Sequence, residues 1–256
     1  MKNLLILGGT GEASKLAIAA ATIPDLDVQL SVAGCTSGAG NKPGVTRVGG
    51  FGGVSGLIDY LRDRYIDLLV DATHPFAAQI SHHGYLAARE LDIPRLMLVR
   101  PSWKELQKDN WLEVGNIQAA VDILSGNILS GESQRVFLTV GKKQLSKFSE
   151  LQSKLQNIWF LIRLVEPLEN NYTIPLGRII FGKGPFSYED ELDLLSHYHI
   201  DTIVSKNSGG HATYSKIAAA RELGIKVIMI DRPSLPIGKK VNTIEEVIQW
   251  LRKGEG

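Results

Sequence analysis

The sequence predicts an α/β protein of two Rossmann-like lobes, each with a parallel sheet, facing one another across an inter-lobe cleft. Three observations predict it. Short apolar runs alternate with stretches whose apolar residues recur at helical spacing, the pattern of a doubly wound sheet. Glycines follow the apolar runs, most densely in Gly8-Gly9-Thr10-Gly11, at the strand ends where such sheets bind ligands. The alternation breaks near residue 100 and then resumes, so that about ten strands fall into two sets and a single eight-fold barrel fits poorly. The expected division is a dinucleotide-binding lobe over 1–100 and an α/β lobe on the substrate side over 101–256.

The opening element is Leu4 to Leu7, an apolar run that stops at Gly8-Gly9. After Gly11 the apolar residues Ala13, Leu16, Ala17 and Ala20 take helical spacing, so strand, tight turn and helix follow one another. Glycines there let the backbone bend and a phosphate approach, and the N–H groups and dipole of a helix start favour an anion. Gly9 to Ser14 fits G-x-G-x-x-G with Ser14 in place of the last glycine; a bound nucleotide and a plain structural turn both satisfy these residues.

Val28 to Val32 is the second strand, followed by Ala33-Gly34-Cys35-Thr36-Ser37. No acid stands there to hold a ribose 2′-hydroxyl, whereas Thr36 and Ser37 can donate to a 2′-phosphate, which leans towards NADPH; small polar residues after a strand equally make a simple loop. Val45 to Val48 is a short strand before Gly49-Gly50-Phe51-Gly52-Gly53, glycines that mark close backbone approach to a ligand or to another segment. Leu57, Ile58 and Leu61 space as a helix, Asp67 to Asp71 is a buried strand, and Ala72-Thr73-His74-Pro75-Phe76-Ala77 leads into a helix over Ala78 to Leu91. His74 lies where ligands bind, with a structural bond to the loop and a catalytic role both open. Arg95 to Val99 completes the first set.

Arg100 to Asn110 carries charges, a proline and no clear period, as a crossover between lobes would. A helix over Ile117 to Leu124 and a Gly/Ser-rich loop over Ser125 to Ser133 follow. The second set comprises strands at Arg135–Val140, Ile158–Val165, Arg178–Phe181, Thr202–Ser205 and Lys226–Ile230. Helices are expected over Tyr188–His197, capped by Ser187, over Ala212–Leu223, and over Glu245–Leu251.

Gly141-Lys142, Gly182-Lys183 and Lys206 beside Ser208-Gly209-Gly210 repeat one theme, a strand ending in glycine and a cation. Arg100 and Arg163 can join them. Any one of these is read as easily as a solvated loop cation; as a group they suit an acidic ligand, because each gives charge-assisted hydrogen bonds to carboxylate or phosphate.

Other chemistries drop out. No Walker pattern surrounds Lys142, Lys183 or Lys239, no tyrosine is followed by the Tyr-x-x-x-Lys couple, and no G-x-S-x-G elbow occurs. His82-His83 and His197-Tyr198-His199 lack metal-ligand spacing, and with Cys35 as the single cysteine no metal site is expected. With 44% hydrophobic residues, 21% charged and a net charge of +1, nothing points to nucleic acid or a membrane surface. The first apolar run is too short for a signal peptide and no stretch suits a membrane span, so a cytoplasmic setting is expected.

Leu5-Ile6-Leu7-Gly8-Gly9-Thr10-Gly11-Glu12-Ala13, Gly49 to Gly53, Asp71-Ala72-Thr73-His74-Pro75-Phe76-Ala77, Gly184-Pro185-Phe186 and Lys206 to Gly210 occur in that order. Together they resemble the precorrin-6A reductase family of cobalamin biosynthesis, including its cobalt-precorrin-6A branch, across nearly the whole chain. The resemblance implies hydride transfer from a reduced nicotinamide, NADPH or NADH, to a tetrapyrrole-derived substrate rich in carboxylates. Members often carry arginine where Cys35 stands, which brings NADH into consideration. On this reading Gly8, Gly9, Thr10, Gly11, Glu12 and Ala13 hold the pyrophosphate and Thr36 and Ser37 lie near the ribose, with Gly50, Phe51 and Thr73 also on the cofactor side. Phe76, Arg100, Lys142, Lys183, Lys206, Ser208, Gly209 and Gly210 face the substrate, and His74 is the candidate proton donor. A non-catalytic dinucleotide sensor and a reductase of another polyacidic small molecule are the alternatives.

Overall fold

The computed structural model describes residues 1–34, 45–129, 134–154, 157–168 and 172–253. Two compact units emerge, Met1–Pro101 with Ser234–Gly256, and Ser102–Pro233. The chain begins with β1 (Lys2–Leu7), α1 (Gly11–Ala20), β2 (Leu26–Val32), β3 (Val45–Val48), α2 (Val54–Asp63), β4 (Leu68–Asp71), α3 (Ala78–Glu90) and β5 (Arg95–Leu98). The second unit contains β6 (Trp111–Val114), α4 (Ile117–Leu129), β7 (Gln134–Leu138), α5 (Leu145–Lys154), β8 (Ile158–Leu164) and β9 (Gly177–Phe181). It continues through α6 (Tyr188–His197), β10 (Thr202–Lys206), α7 (Ser215–Glu222) and β11 (Lys226–Ile230). Last come β12 (Lys239–Val241) and α8 (Ile244–Lys253), which belong to the first unit.

Both sheets are parallel throughout. The first runs β3-β2-β1-β4-β5-β12 and the second β9-β8-β7-β10-β11-β6. Each has the doubly wound order 3-2-1-4-5-6, with one irregularity of connection. The sixth place in the first sheet is filled by a strand from the end of the chain, and in the second by the strand that enters the unit first.

The composition of β1 explains the layering. Alternate side chains of a strand leave on opposite faces. Leu4 and Ile6 pack with Leu16 and Ala17 of α1 and with Val247 and Trp250 of α8, while Leu5 and Leu7 pack with Leu57 and Leu61 of α2 and Ala87 of α3. A strand apolar on both faces thus sits in the middle of the sheet, covered by helices on each side. In the second unit Phe137, Leu161, Ile203, Val227 and Met229 pack against Leu195, Ile217 and Ala220 from α6 and α7. On α5, Phe148 meets Phe160 edge to face at 6.0 Å.

Three elements depart from the sequence expectation. β6 directly follows the stretch read as crossover and was not foreseen, nor was α5, and β12 is a three-residue polar strand. α4 also runs on to Leu129, through Ser125-Gly126-Asn127, which local composition assigns to a loop; packing overrides propensity there. The expectation that all of 101–256 forms the second lobe is corrected by Ser234–Gly256. That segment returns to the first unit, where β12 pairs with β5 from Lys239 opposite Leu96 to Val241 opposite Leu98.

Candidate cofactor and substrate sites

The strand order of the first sheet reverses between β1 and β4, and ligands of such sheets bind outside the carboxyl ends of the strands at that point. The β1–α1 turn and the β4–α3 loop meet there through one hydroxyl. Thr10 Oγ1 donates to Ala72 O at 3.0 Å and accepts from the Ala13 N–H at 3.0 Å, so it caps α1 and ties the two segments together. Gly8 must be glycine for packing, since a Cβ would lie 2.6 Å from Leu30 Cδ1 and 3.3 Å from Ala13 Cβ. Gly9 is glycine for its backbone, with φ +114°, and a Cβ added at Gly9 or Gly11 meets nothing within 4 Å. The bend is therefore tight beneath and open above. Ala13 belongs to the underside: it is fully buried and its N–H is taken by the cap.

Glu12, in the first turn of α1, is bound by Arg100, whose Nη1 lies 3.0 Å from each carboxylate oxygen. Partial burial pushes the Glu12 carboxyl upward, but its own backbone N–H, the Arg100 guanidinium and Lys15 outweigh this and hold it below the usual carboxylate range. A carboxylate at a helix start competes with any incoming phosphate, and Arg100 offsets that charge. Arg100 lies in the first unit. The sequence grouped it with the second-lobe cations; the geometry gives it to the glycine bend.

Phe51 lies under the Arg47 guanidinium, 3.9 Å from the ring centroid, and meets Tyr60 edge-on at 5.2 Å. Gly49, Gly52 and Gly53 around it all have positive φ, which accounts for the glycine run. Gly50 is exposed beside them and accepts from Arg47. Thr36 and Ser37, like Cys35, lie outside the described residues.

The β4–α3 loop is held from within. Buried Asp71 accepts from the Thr73 N–H at 3.1 Å and from Thr73 Oγ1 at 2.7 Å, which leaves Ser81 Oγ as the donor in its 3.1 Å contact with Thr73. The Thr73 hydroxyl thus faces the core network. His74 Nδ1 accepts from the Phe76 N–H at 3.2 Å, so the neutral ring carries its proton on Nε2. The Ala77 N–H returns to His74 O at 2.7 Å, and the His74 and Phe76 rings stand 5.9 Å apart.

In the second sheet the order reverses between β7 and β10. There Thr139 donates through both N–H and Oγ1 to Val204 O, each at 3.1 Å. Lys142 follows β7 in a short 3₁₀ turn and lies 5.4 Å from the Tyr172 ring. Lys206 ends β10, and burial depresses its pKa below the ordinary lysine value.

Residues 207–210 form a clamped arch. Asn207 accepts from the Trp103 N–H at 2.8 Å and donates to Trp103 O at 3.0 Å; Trp103 Nε1 donates to Gly210 O at 2.8 Å. Arg232 donates to Asn207 O at 2.8 Å and to Ser208 O at 3.0 Å. Ser208 is only 9% exposed, so the arch presents more backbone than side chain. Lys183 is not brought to this point. It is exposed beyond β9, the sheet edge, two strands or roughly 10 Å from β7. Arg163 is not a ligand cation either. It pairs with buried Glu191 and stacks on Phe186 at 4.0 Å. The Gly184-Pro185-Phe186 motif, with a cis Gly184–Pro185 bond, packs on residues 212–215: the Phe186 N–H donates to Ala212 O, and Ser215 Oγ to Phe186 O.

Sequence reasoning missed Lys216, which is fully buried at the start of α7 with Nζ 2.8 Å from Thr213 O and 5.0 Å from the Trp103 ring. Burial drives its pKa down to about 7, Glu191 working against the shift and Arg163 with it. Nothing in the helical pattern of 212–223 marks it as interior. Among the described residues no group of three or more His, Cys, Asp or Glu is placed to hold a metal ion, and no helix is long and apolar enough to cross a membrane.

An open glycine bend with a capped helix start, set where a 3-2-1-4-5-6 sheet reverses, fits a dinucleotide; fold and site define a two-unit α/β protein of the dinucleotide-binding class. Residues 3–252 match the family model described as "Precorrin-6x reductase CbiJ/CobK". The chain belongs to this reductase family. It is 39% identical over 252 residues to the precorrin-6A reductase of Rhodococcus erythropolis, covering 98% of each chain. To that of a Sinorhizobium species it is 41% identical over 253 residues, covering 97% of this chain and 94% of the relative. It is 30% identical over 201 residues to the cobalt-precorrin-6A reductase of Priestia megaterium, covering 76% of each. A solved structure titled "CobK precorrin-6A reductase" superimposes with TM-score 0.88 at 38% identity, covering 99% of this chain and 97% of that one. The family implies a reductase that uses a nicotinamide cofactor, and the chain is an oxidoreductase of the corrin pathway.

Two outcomes follow from these geometries. Arg100→Ala leaves the Glu12 carboxylate uncompensated beside the bend and weakens cofactor binding about fivefold to tenfold by titration calorimetry, whereas Glu12→Gln with Arg100→Ala recovers most of the loss. Equal weakening in the single and double variants would contradict the pairing. For Lys216, the folded state releases its proton near pH 7 and the unfolded state near 10.5. Unfolded chains therefore hold the extra proton between those values, and stability rises with pH there by up to about 1.4 kcal/mol per unit. Lys216→Met removes that slope; urea unfolding of both proteins at pH 7 and 9 checks it, and parallel profiles would contradict it.

Proposed function

We propose that the chain transfers a hydride from NADPH or NADH to precorrin-6A, giving its dihydro product. The open bend of Gly8 to Glu12 at the β1/β4 reversal carries this reading, because backbone donors, a capped helix start and open space coincide there. The relatives named for precorrin-6A match at 37–41% and those named for the cobalt form at 28–31%, which favours the metal-free substrate. Bound there, the reduced nicotinamide supplies the hydride.

The protein's own part is orientation and charge. Gly9, Gly11 and Glu12 offer the bend to the diphosphate, Thr10 and Ala13 hold its shape, and Arg100 neutralises Glu12. Gly50 and Phe51 flank the adenosine end, and we keep Thr36 and Ser37 near the ribose. Thr73 acts by fixing the β4–α3 loop. In the second unit Lys142 and Lys206 hold substrate carboxylates by charge-assisted hydrogen bonds, while Ser208, Gly209 and Gly210 supply a rigid backbone surface. Lys183, set apart at the sheet edge, contacts only the periphery of a large macrocycle. Phe76 packs against the macrocycle, and His74 Nε2 is the candidate proton donor. The expected cytoplasmic setting rests on the lone cysteine and the small-molecule chemistry.

The direct test mixes purified protein, NADPH or NADH, and precorrin-6A, and follows loss of the reduced-nicotinamide absorbance. Oxidation that requires the substrate supports the reading. Cofactor bound but left reduced would make the chain a sensor, and oxidation only with another polyacid would assign a different substrate. His74→Ala should lower kcat about a hundredfold with cofactor affinity nearly unchanged; equal loss of both would assign His74 a structural role.

A further inference from the structure

We infer that Trp103 is a positioning residue for the reduction: it sets the shape of the 207–210 arch against which the substrate lies, without touching the substrate itself. The inference rests on the second unit receiving the substrate, as proposed above.

The arch needs outside support because of its own composition. Gly209 and Gly210 both take left-handed backbone, with φ +66° and +74°. Two consecutive glycines hold such a bend weakly by themselves, since glycine has the most backbone freedom to lose. The first half of the arch is tied to the sheet: the Asn207 N–H donates to Ile230 O at 2.9 Å, and Arg232 donates to Asn207 O and Ser208 O. The Gly210 carbonyl is bound by the Trp103 indole at 2.8 Å. The Trp103 main chain makes a two-bond pair with the Asn207 side chain, at 2.8 and 3.0 Å. One residue therefore grips both ends of the arch, the near end with its backbone and the far end with its ring.

That ring is itself fixed. It is buried, stands 5.7 Å from the Tyr214 ring and lies 5.0 Å from Lys216 Nζ, so the indole N–H is aimed before any ligand arrives. The second unit begins at Ser102 and ends at Pro233, which places Trp103 and Arg232 one residue inside its two ends. The arch is thus fastened to the segments by which the chain enters and leaves the unit. A surface that orients a large substrate for hydride transfer has to be held in this way, because a misplacement of about 1 Å costs up to about a hundredfold in rate. The competing role is that of a plain core residue, since Trp103 also packs with Phe137, Leu195, Ile217 and Met229. Phenylalanine keeps most of that packing and both main-chain bonds but lacks the N–H, so Trp103→Phe separates the two roles.

The test compares wild type with Trp103→Phe in three measurements. These are backbone order parameters of Gly209 and Gly210, calorimetric titration with the reduced nicotinamide that wild type uses, and kinetics with precorrin-6A expressed per cofactor-binding site. In the variant the order parameters should fall from about 0.85 towards about 0.6. Its kcat/KM for precorrin-6A should fall about tenfold, mostly in kcat, the scale of one lost hydrogen bond, while the cofactor Kd stays within about twofold. Order parameters equal to wild type would make Trp103 a core residue and overturn the inference. A loosened arch with unchanged kinetics would also overturn it, by removing the substrate from the arch while leaving the cofactor reading of the first unit intact. Equal loss of cofactor affinity and of kcat/KM would overturn it as well. If wild type oxidises no cofactor in the presence of precorrin-6A, the proposed function fails, and this inference with it. Should Trp103→Phe not fold by circular dichroism, the indole N–H resonance of Trp103 in the wild-type protein decides. A shift on adding precorrin-6A with oxidised cofactor supports the inference, and an unmoved resonance overturns it.

Discussion

A parallel sheet buried on both faces is the constraint from which the rest of this molecule follows. Leu4, Leu5, Ile6 and Leu7 are all buried, two to each face, so helices must cover both sides of β1. Once both faces are closed, the carboxyl ends of the strands are what remains for ligands, and the reversal between β1 and β4 opens the crevice. Gly8 lets α1 press on β2, Gly9 turns the chain, and the Thr10 hydroxyl fastens the bend to Ala72 across the reversal. The second sheet repeats the plan, with Thr139 bonding Val204 at its own reversal point.

Charge is handled differently in the two units. At the glycine bend a half-exposed Glu12 is answered by Arg100, which keeps the helix start receptive to an anion. In the second unit Arg163, Glu191 and Lys216 lie in the interior beneath the 207–216 segment, and Trp103 joins them to the arch through Gly210 and Asn207. Removing either Arg163 or Glu191 leaves its partner as an uncompensated buried charge, which costs more than the pair contributes. These groups hold loops in place, whereas Lys142 and Lys206, both half-buried, stand at the carboxyl ends of β7 and β10 on either side of the reversal. Binding groups carried on loops fixed in this way are better preorganised than groups on free loops.

Glycine and apolar pattern made most of this legible. The bend at Gly8 to Gly11, the Gly49 to Gly53 turn, the His74 loop and the arch at Lys206 to Gly210 all stand at strand ends, where the alternation put them. What escaped had physical reasons. β12 is Lys-Lys-Val at a sheet edge, short and charged as edge strands tend to be, and β6 is a four-residue strand hidden among charges. Both are the sixth strands, whose partners lie far off in sequence, so no local signal announces them. Arg100 was taken for a substrate cation because nothing local reveals that Glu12, eighty-eight positions earlier, faces it. Lys216 went unnoticed, since its burial depends on Trp103 and Glu191 from distant segments.

The central claim is that the β1–α1 bend seats the cofactor's diphosphate. Backbone amide chemical shifts of isotope-labelled protein titrated with NADPH address it without any substitution. The account predicts that Gly9, Gly11 and Glu12 shift most strongly and saturate together with the binding isotherm. Saturable binding that leaves those three amides unmoved while others respond would contradict it.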